Sequence, residues 1–415
     1  MHQLLLPLIL FILIYLGAFL SSTDKKSVKL NIIVLGMAVQ IGLSFLVMKV
    51  PSIISFFKFL SDSFEVITRA TNVGVATVFG ELALEPQKNN FGFVLALHGL
   101  PSLIVVSTLC SILLHLGILQ KIMMLLSIFY KSVMRIPTVL SMGVAATLLT
   151  DKNFSAMMNR PYLASLSRGE LFTMCVAGLA FSSVAIIAVY DSMLSAVVES
   201  AITHILSSIV ISSPAVITIG RMMIPYHADL TFKPQHIRST DSTNIMNVVQ
   251  DGIIDGAKTC VAIIAIIIGM VALISLLNEL INTLSTSLGY SLTIQKILGF
   301  VFMPIAFLLG IPASECSTAA GIIGTKIALN ELLALNDILL YRDVISHNTI
   351  VTLIYACSNF ANIGSTSLMV VIYANYLPNR KDEVTGFILK ALVAAILCTL
   401  STASLASFWL HLAAI

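Results

Sequence analysis

Long apolar segments separated by short polar ones make up most of this chain. They run over residues 4–20, 30–48, 91–117, 171–190, 194–224, 259–277, 349–373 and 384–412. A helix needs about 20 mainly apolar residues to cross a bilayer. The pattern therefore predicts an all-α polytopic membrane protein with about eight transmembrane helices, a number that follows from this length requirement.

Two further segments place apolar and charged residues on opposite faces of a helix. In residues 51–70, Lys58, Asp62, Glu65 and Arg69 recur at helical spacing, and apolar side chains fill the other positions. Residues 121–135 have a similar pattern. Such helices lie in the plane of the membrane interface, so we predict two interfacial amphipathic helices.

The segment Thr293–Asn336 is apolar at both ends, but Gly310–Ser317 in its middle contains Gly, Pro and the carboxylate of Glu315. Lipid does not tolerate broken backbone, so such a break must be buried in protein or line a cavity. We therefore predict a re-entrant hairpin with Glu315 at its tip, facing a solute. Residues 136–164 have the same plan around Thr150–Asn153, although an ordinary aqueous loop is an open alternative there.

An internal repeat supports this pairing of hairpins. An ungapped alignment of Ser167 with Ser346 also pairs Thr173 with Thr352, Ala177 with Ala356 and Phe181 with Phe360. Secondary transporters are often built from such repeats, and solute binds between their broken helices. We divide the chain into N-terminal spans and scaffold (1–135), first hairpin and following spans (136–225), cytoplasmic connection and long scaffold span (226–292), second hairpin and broken helix (293–383) and C-terminal span (384–415).

Composition and the absence of certain motifs reduce the number of possible functional classes. The chain is 58% hydrophobic and 10% charged, with a mean hydropathy of +0.99 and a net charge of only +3. Nucleic acid is therefore not an expected partner, whereas a lipid bilayer is. The six cysteines form no C-x-x-C pair, and no Walker A or dinucleotide motif occurs. We expect neither an enzyme nor an organic cofactor.

Four blocks resemble the concentrative nucleoside transporter family. They are GTKIALNELLA (324–334), GIPASE (310–315), NFANIGS (359–365) and SSPAVITIGRMMIP (212–225). The resemblance implies a homotrimer in the plasma membrane, which is the inner membrane in bacteria. It also implies nucleoside symport by an elevator-type movement, driven by a sodium or proton gradient.

By the same resemblance, Glu315 and Asn362 would bind ribose hydroxyls, Ser365 would assist, and Phe360 would pack beside the solute. The signature residues are Gly324, Lys326, Asn330 and Glu331. Of these, Asn330 and Glu331 are expected to fix the packing of the second hairpin and not to touch the solute.

The first hairpin departs from the family pattern. Sodium-coupled members read G-Q-T-E-A-P there, and proton-coupled bacterial members read G-Q-S-E-N-F. Alignment on Arg160 and Pro161 places the first pattern on residues 151–156, whereas alignment on Asn153 and Phe154 places the Ser and Glu of the second on Asp151 and Lys152. Under either alignment the glutamate is absent and a lysine is present. Lys152 and Asn153 are the candidate base contacts.

The expected sodium ligands also differ, since the family's Asn falls on Thr147 and its Ser falls near Phe181, with Ser183 displaced. Either the ammonium of Lys152 takes the place of a cation, or Asp151 is the titrating group. We favour proton or altered coupling over sodium. A divergent paralogue that carries a modified nucleoside or another hydroxylated solute, and a non-transporting receptor or channel, are open alternatives.

Overall fold

The computed structural model describes residues 2–83, 94–195, 197–227, 244–286, 289 and 292–413. These residues form α-helices and two 3₁₀ turns, Gly80–Ala83 and Pro378–Arg380, and contain no β-strand. The helices are α1 (His2–Leu20), α2 (Leu30–Lys49), α3 (Pro51–Phe79), α4 (Leu95–His98), α5 (Ser102–His115), α6 (Ile118–Met134), α7 (Thr138–Leu149), α8 (Lys152–Leu163), α9 (Arg168–Ala180), α10 (Val184–Leu194), α11 (Ala201–Met223), α12 (Ile245–Thr286), α13 (Ile294–Leu308), α14 (Cys316–Ala328), α15 (Glu331–Leu340), α16 (His347–Cys357), α17 (Ile363–Tyr376) and α18 (Lys381–Ala413).

The predicted all-α, polytopic class is confirmed. Within the described residues, six helical segments are long and apolar enough to cross a membrane: Leu30–Lys49, Leu95–His115, Arg168–Leu194, Ala201–Met223, Ile245–Thr286 and Pro378–Ala413. Shorter apolar helices occur at Leu4–Leu20, Thr138–Leu149 and Ile294–Leu308. The number of eight spans stays a prediction, because two of the long segments consist of separate helices on either side of a break.

The two amphipathic segments are both helical. Helix α3 continues nine residues beyond the predicted end at Ala70, through Gly74 to Phe79. Helix α6 covers most of the second segment and ends where Arg135 adopts a left-handed backbone conformation. Their position in the interface stays a prediction.

Three successive helices of one half of the chain begin in register with three of the other half. Each of these helices is preceded by an N-cap residue with extended backbone. The N-cap pairs Asp151 and Asn330, Ser167 and Ser346, and Ser183 and Asn362 are each 179 residues apart. Two helices are broken: α9 and α10 lie on either side of the first break, and α16 and α17 lie on either side of the second. The repeat inferred from Ser167 and Ser346 therefore extends from the hairpin turns to α10 and α17, the second halves of these broken helices.

Each repeat contains a helical hairpin, formed by α7 and α8 in the first and by α14 and α15 in the second. The first hairpin turns at Thr150 and Asp151, within the predicted Thr150–Asn153, and the second turns at Leu329 and Asn330. That these hairpins are re-entrant stays a prediction. Gly310–Ser317, which we predicted to be the tip of the second hairpin, is a different turn from the one in register with the first hairpin. That segment joins α13 to α14, since Gly310 has a positive φ of 79° and Pro312 follows it.

Glycines let α13 pack closely on α14. A Cβ atom on Gly324 would lie 2.8 Å from the Cβ atom of Leu298, and Gly299 faces Gly321 at the same crossing. This close approach makes the two helices look like one hairpin in sequence. In the structure α13 packs on α14, the first arm of the second hairpin, just as α6 packs on α7, the first arm of the first hairpin. Helix α13 is therefore the counterpart of α6 and precedes the hairpin.

The two repeats interlock around a buried centre. Helices α9, α11, α16 and α18 form the middle of the core. The second arm of each hairpin packs on the second half of the other repeat's broken helix, so that α8 contacts α17 and α15 contacts α10. The fold thereby brings both hairpin turns towards both helix breaks.

Two predicted features fall largely outside the described residues, and one predicted boundary lies inside a helix. The predicted polar connection falls largely on residues 228–243, which lie outside the described residues, as do residues 84–93, where we placed the start of the third span. The boundary at residues 383 and 384 lies inside α18, which begins at Lys381. Asp382 and Glu383 occupy its first turn, where acidic side chains favour a helix start.

Candidate functional site

The candidate site lies where the two hairpin turns meet the two helix breaks. The carbonyl oxygen of Thr150, in the first turn, accepts a hydrogen bond of 3.3 Å from the backbone nitrogen of Val184, at the start of α10. The two breaks are joined directly, since the hydroxyl of Ser182 donates to the carbonyl oxygen of Ser358. Broken helices leave backbone groups available at such a centre, which is why transporter sites form there.

Each hairpin turn is held by an N-cap side chain. Oδ1 of Asp151 accepts hydrogen bonds from the backbone nitrogens of Asn153 and Phe154, at 2.7 and 2.9 Å. Oδ1 of Asn330 accepts one from the backbone nitrogen of Leu333, at 2.9 Å. These bonds satisfy free N–H groups at the starts of α8 and α15.

Lys152 and Glu331 occupy equivalent positions, the first residue of α8 and the first residue of α15. They are 179 residues apart, like the N-caps before them. Each lies within electrostatic range of the other. Sequence reasoning treated Glu331 as a packing residue, but its position makes it the counterpart of Lys152.

Glu331 is bonded to the second helix break. Nδ2 of Asn362 donates a 2.9 Å hydrogen bond to Oε2 of Glu331, and both residues are 5% exposed or less. Oδ1 of Asn362 in turn accepts from the backbone nitrogen of Ser365 at 2.8 Å, capping α17. The amide of Asn362 thus links the second hairpin turn to Ser365 in the first turn of α17.

Lys152 lies over an aromatic ring of the opposite repeat. Its Nζ atom is 4.4 Å from the centroid of Phe360, within the range of a cation–π contact. Gly178 makes room for this arrangement, because a Cβ atom there would lie 3.2 Å from Cβ of Lys152 and 2.7 Å from the terminal methyl of Met369. The charged part of the site therefore consists of two pairs, Lys152 with Phe360 and Glu331 with Asn362.

The candidate coupling residues surround the first hairpin turn. Thr147 lies one turn of α7 before Thr150, and its hydroxyl donates to the carbonyl oxygen of Gly143 at 2.8 Å. Ser183 caps α10, accepting from the backbone nitrogen of Ala185 at 3.3 Å. Both hydroxyl oxygens have further lone pairs. The side chain of Asn153 is exposed beside Asp151.

Glu315 lies elsewhere, contrary to the prediction that it shares a solute with Asn362. Its Oε2 atom accepts hydrogen bonds from both the backbone nitrogen and the hydroxyl of Ser346, each 3.0 Å long. Ser346 is the N-cap of α16. Glu315 thus ties the start of α14 to the start of α16, at the opposite end of α14 from Asn330. The GIPASE block resembles a site motif in sequence but has a helix-capping position in the structure.

Two more polar groups at the centre were not identified from the sequence. The hydroxyl of Tyr190, which is fully buried, lies beside Glu331 and Ser182 without forming a regular hydrogen bond among the described residues. Oδ1 of Asn359, in the second break, also has no hydrogen-bond partner there. Buried polar groups are nearly always paired, so these two atoms have unused hydrogen-bonding capacity at the centre of the site.

The remaining signature residues support the second hairpin. Lys326 is 1% exposed on α14 and lies within electrostatic range of Glu331. Gly324 provides the close packing on α13 described above. Among the described residues, no group of three or more His, Cys, Asp or Glu side chains could hold a metal ion.

The position of Glu331 could have been found in the sequence. The ungapped alignment of Ser167 with Ser346, continued back to the first hairpin turn, pairs Asp151 with Asn330 and Lys152 with Glu331. The Gly and Pro residues of Gly310–Ser317 instead favoured Glu315 as the acid at the hairpin tip. Such residues do indicate turns, but they do not indicate which turn faces the solute.

These features are those of a multi-pass membrane protein with two interlocked repeats, a plan that is common among secondary transporters. The family model for the C-terminal part of the Na⁺ dependent nucleoside transporters matches residues 204–407, and the model for their N-terminal part matches residues 9–82. The chain therefore belongs to the concentrative nucleoside transporter family, whose members are transporters and not enzymes.

Similar proteins span nearly the whole chain. An uncharacterized transporter of Haemophilus influenzae is 27% identical over 96% of this chain and 95% of its own length. The nucleoside permease NupC of Helicobacter pylori is 25% identical, covering 96% of each chain. The structure of CNTnw in an inward-facing substrate-bound state covers 100% of this chain and 99% of its own, with 27% identity and a TM-score of 0.91.

Proposed function

We propose that this protein is a secondary active symporter that imports nucleosides across the bacterial inner membrane. One observation carries the proposal: the hydrogen-bonded pair of Glu331 and Asn362 lies with Lys152 and Phe360 where both hairpin turns meet both helix breaks. A membrane-embedded carboxylate at such a centre is expensive to keep unless it has a function. Family membership makes nucleosides the expected solutes.

The residues divide by chemistry. Glu331 and Asn362 bind ribose hydroxyls, because a carboxylate accepts strong hydrogen bonds from O–H groups. Ser365 adds a hydroxyl, and the ring of Phe360 packs against an apolar face of the solute. The role that the sequence suggested for Glu315 passes to Glu331, since Glu315 is bonded to Ser346.

Lys152 and Asn153 face the other end of the solute, the base. The coupling ion, a proton or Na⁺, binds near the first hairpin turn. Asp151, Thr147 and Ser183 supply a carboxylate and two hydroxyl oxygens there. The family description favours Na⁺, whereas the missing glutamate and the nearby ammonium of Lys152 favour a proton.

Transport proceeds by alternating access with an elevator-type movement of the hairpins and broken helices, in a homotrimer. Support comes from relatives of the same fold. CNTnw has structures in inward-facing, outward-facing and intermediate states, and a doubly substituted outward-facing variant matches this chain with a TM-score of 0.92 and 26% identity.

The test is uptake of labelled uridine and adenosine into proteoliposomes that contain the purified protein. Inward gradients of Na⁺ and of protons are applied separately and together, and a gradient-free sample is the control. We expect saturable uptake above the equilibrium level with at least one gradient. Absence of nucleoside uptake, and of counterflow, under every gradient would overturn the proposal.

A further inference from the structure

The two hairpin turns present opposite chemistry to the same centre. Glu331, at the start of α15, is an acceptor when ionised, whereas Lys152, at the equivalent position of α8, carries three N–H donors and no acceptor. Because the backbone positions match, this difference lies in the side chains alone. A solute held between them needs donors at one end and acceptors at the other.

Lys152 works against the helix that carries it. The N-terminus of a helix bears partial positive charge, so a cation there is unfavourable and an anion is favourable. Glu331 obeys this rule at the start of α15, and Lys152 violates it at the start of α8. A residue that breaks a local rule without stabilising its own element is a candidate for a functional role.

The ammonium of Lys152 also lacks an acceptor oxygen. Its contact with Phe360 is to the face of a ring, and Nζ makes neither a hydrogen bond nor an ion pair with any part of the chain that the structure describes. Glu331, which lies within electrostatic range of Lys152 across the site, is bonded to Asn362. The N–H groups of Lys152 are therefore available to a solute.

We infer that Lys152 donates to the exocyclic oxygen at C4 of a pyrimidine or C6 of a purine, and that the protein prefers nucleosides with an oxo group at this position over those with an amino group. The inference rests on the proposed nucleoside transport. Uridine and cytidine differ at C4, which carries an oxo group in the first and an amino group in the second, and at the neighbouring ring nitrogen, which carries a hydrogen only in the first. Inosine and adenosine differ in the same way.

An oxo oxygen accepts a charge-assisted bond from the ammonium, and bonds of this type are about twice as strong as neutral ones. An exocyclic amino group is itself a donor, so it leaves the ammonium without that bond. Sites built to bond one polar group reject analogues that lack it much more strongly than apolar pockets reject a missing methylene.

The experiment measures competition against labelled uridine uptake in proteoliposomes, with uridine, cytidine, inosine and adenosine as competitors. In the natural protein we expect each oxo nucleoside to compete at least about tenfold better than its amino counterpart, by the reasoning for polar recognition. Lys152→Gln should reduce this ratio to about twofold, because a neutral amide can donate or accept. Lys152→Glu should favour the amino nucleosides.

Lys121→Gln is the matched control, since Lys121 is exposed on α6, and its ratio should equal that of the natural protein. Ligand-induced thermal shifts of the purified proteins give the same ratios if a substitution stops transport. Equal competition by oxo and amino nucleosides, or an unchanged ratio in Lys152→Gln, would overturn the inference and leave nucleoside transport intact. If no nucleoside is transported or stabilises the natural protein, the proposed function fails as well.

Discussion

The two hairpins share their backbone plan but differ in the residues that they present. Asp151 and Asn330 cap equivalent helices, and Lys152 and Glu331 follow them at equivalent positions. The first turn is bonded to the start of α10 through the backbone of Thr150, and the second is bonded to the start of α17 through the side chain of Glu331. Caps fix where the hairpins turn, and the residue after each cap determines what the turn can bind.

The helices that follow the two hairpins, α9 and α16, also start in different ways. In the first repeat Ser167 is capped locally, because its backbone nitrogen donates to Oε2 of Glu170 at 2.6 Å. In the second repeat the equivalent Ser346 donates to Glu315, 31 residues earlier in the chain. The same requirement, an acceptor for a free N–H group at a helix start, is met by a local residue in one repeat and by a distant one in the other.

The largest expected effect separates Glu331 from Glu315. Glu331→Gln should reduce uridine uptake at least about 100-fold, because the site loses a charge-assisted acceptor that the solute hydroxyls need. Glu315→Gln should retain most of the uptake and lower the thermal stability instead, since it weakens the bonds to Ser346. Initial rates in proteoliposomes and thermal unfolding in detergent measure the two effects. Loss of uptake in Glu315→Gln together with normal uptake in Glu331→Gln would restore the sequence-based assignment.

Much of the fold could be predicted from the sequence. Hydropathy located the apolar helices, and the NFANIGS block lies at the break between α16 and α17, whereas the break between α9 and α10 falls inside a segment that we predicted as one span. These features are local patterns or repeats of local patterns. Asn362 and Phe360, predicted from NFANIGS, do lie at the centre of the candidate site.

The part that sequence reasoning missed depends on distances between elements. Glu315 and Glu331 are both acids near the ends of α14, and their local sequence does not show which of them reaches Asn362, whereas the packing of α14 and α15 does. Likewise, nothing local indicates that the hydroxyl of Tyr190 lies beside Glu331. A composition that suits a hairpin tip does not specify which turn becomes the tip, because several turns satisfy the same local rules.

A smaller effect compares the two N-caps. Asp151→Ala and Asn330→Ala should each lower the free energy of unfolding by about 1 kcal/mol, the usual loss for an N-cap. Asp151 accepts two N–H groups and Asn330 accepts one, so the loss should be larger for Asp151. Chemical unfolding in detergent measures the difference, and Asp151→Asn, which keeps the cap, is the matched control. A greater loss for Asn330→Ala would show that the two turns are not held in the same way.

The smallest effect tests the opposite charges at the two turns. Lys152→Gln should raise the free energy of unfolding by about 0.3–1 kcal/mol, because it removes a cation from a helix N-terminus. Glu331→Gln should lower it, since it removes a favourable anion and weakens the bond to Asn362. Thermal unfolding of the two variants in the absence of solute measures both signs. Stabilisation by Lys152→Gln together with a loss of oxo selectivity would mean that this lysine is kept at the first turn for binding and not for folding. Destabilisation would instead indicate that Lys152 and Glu331 hold each other in place.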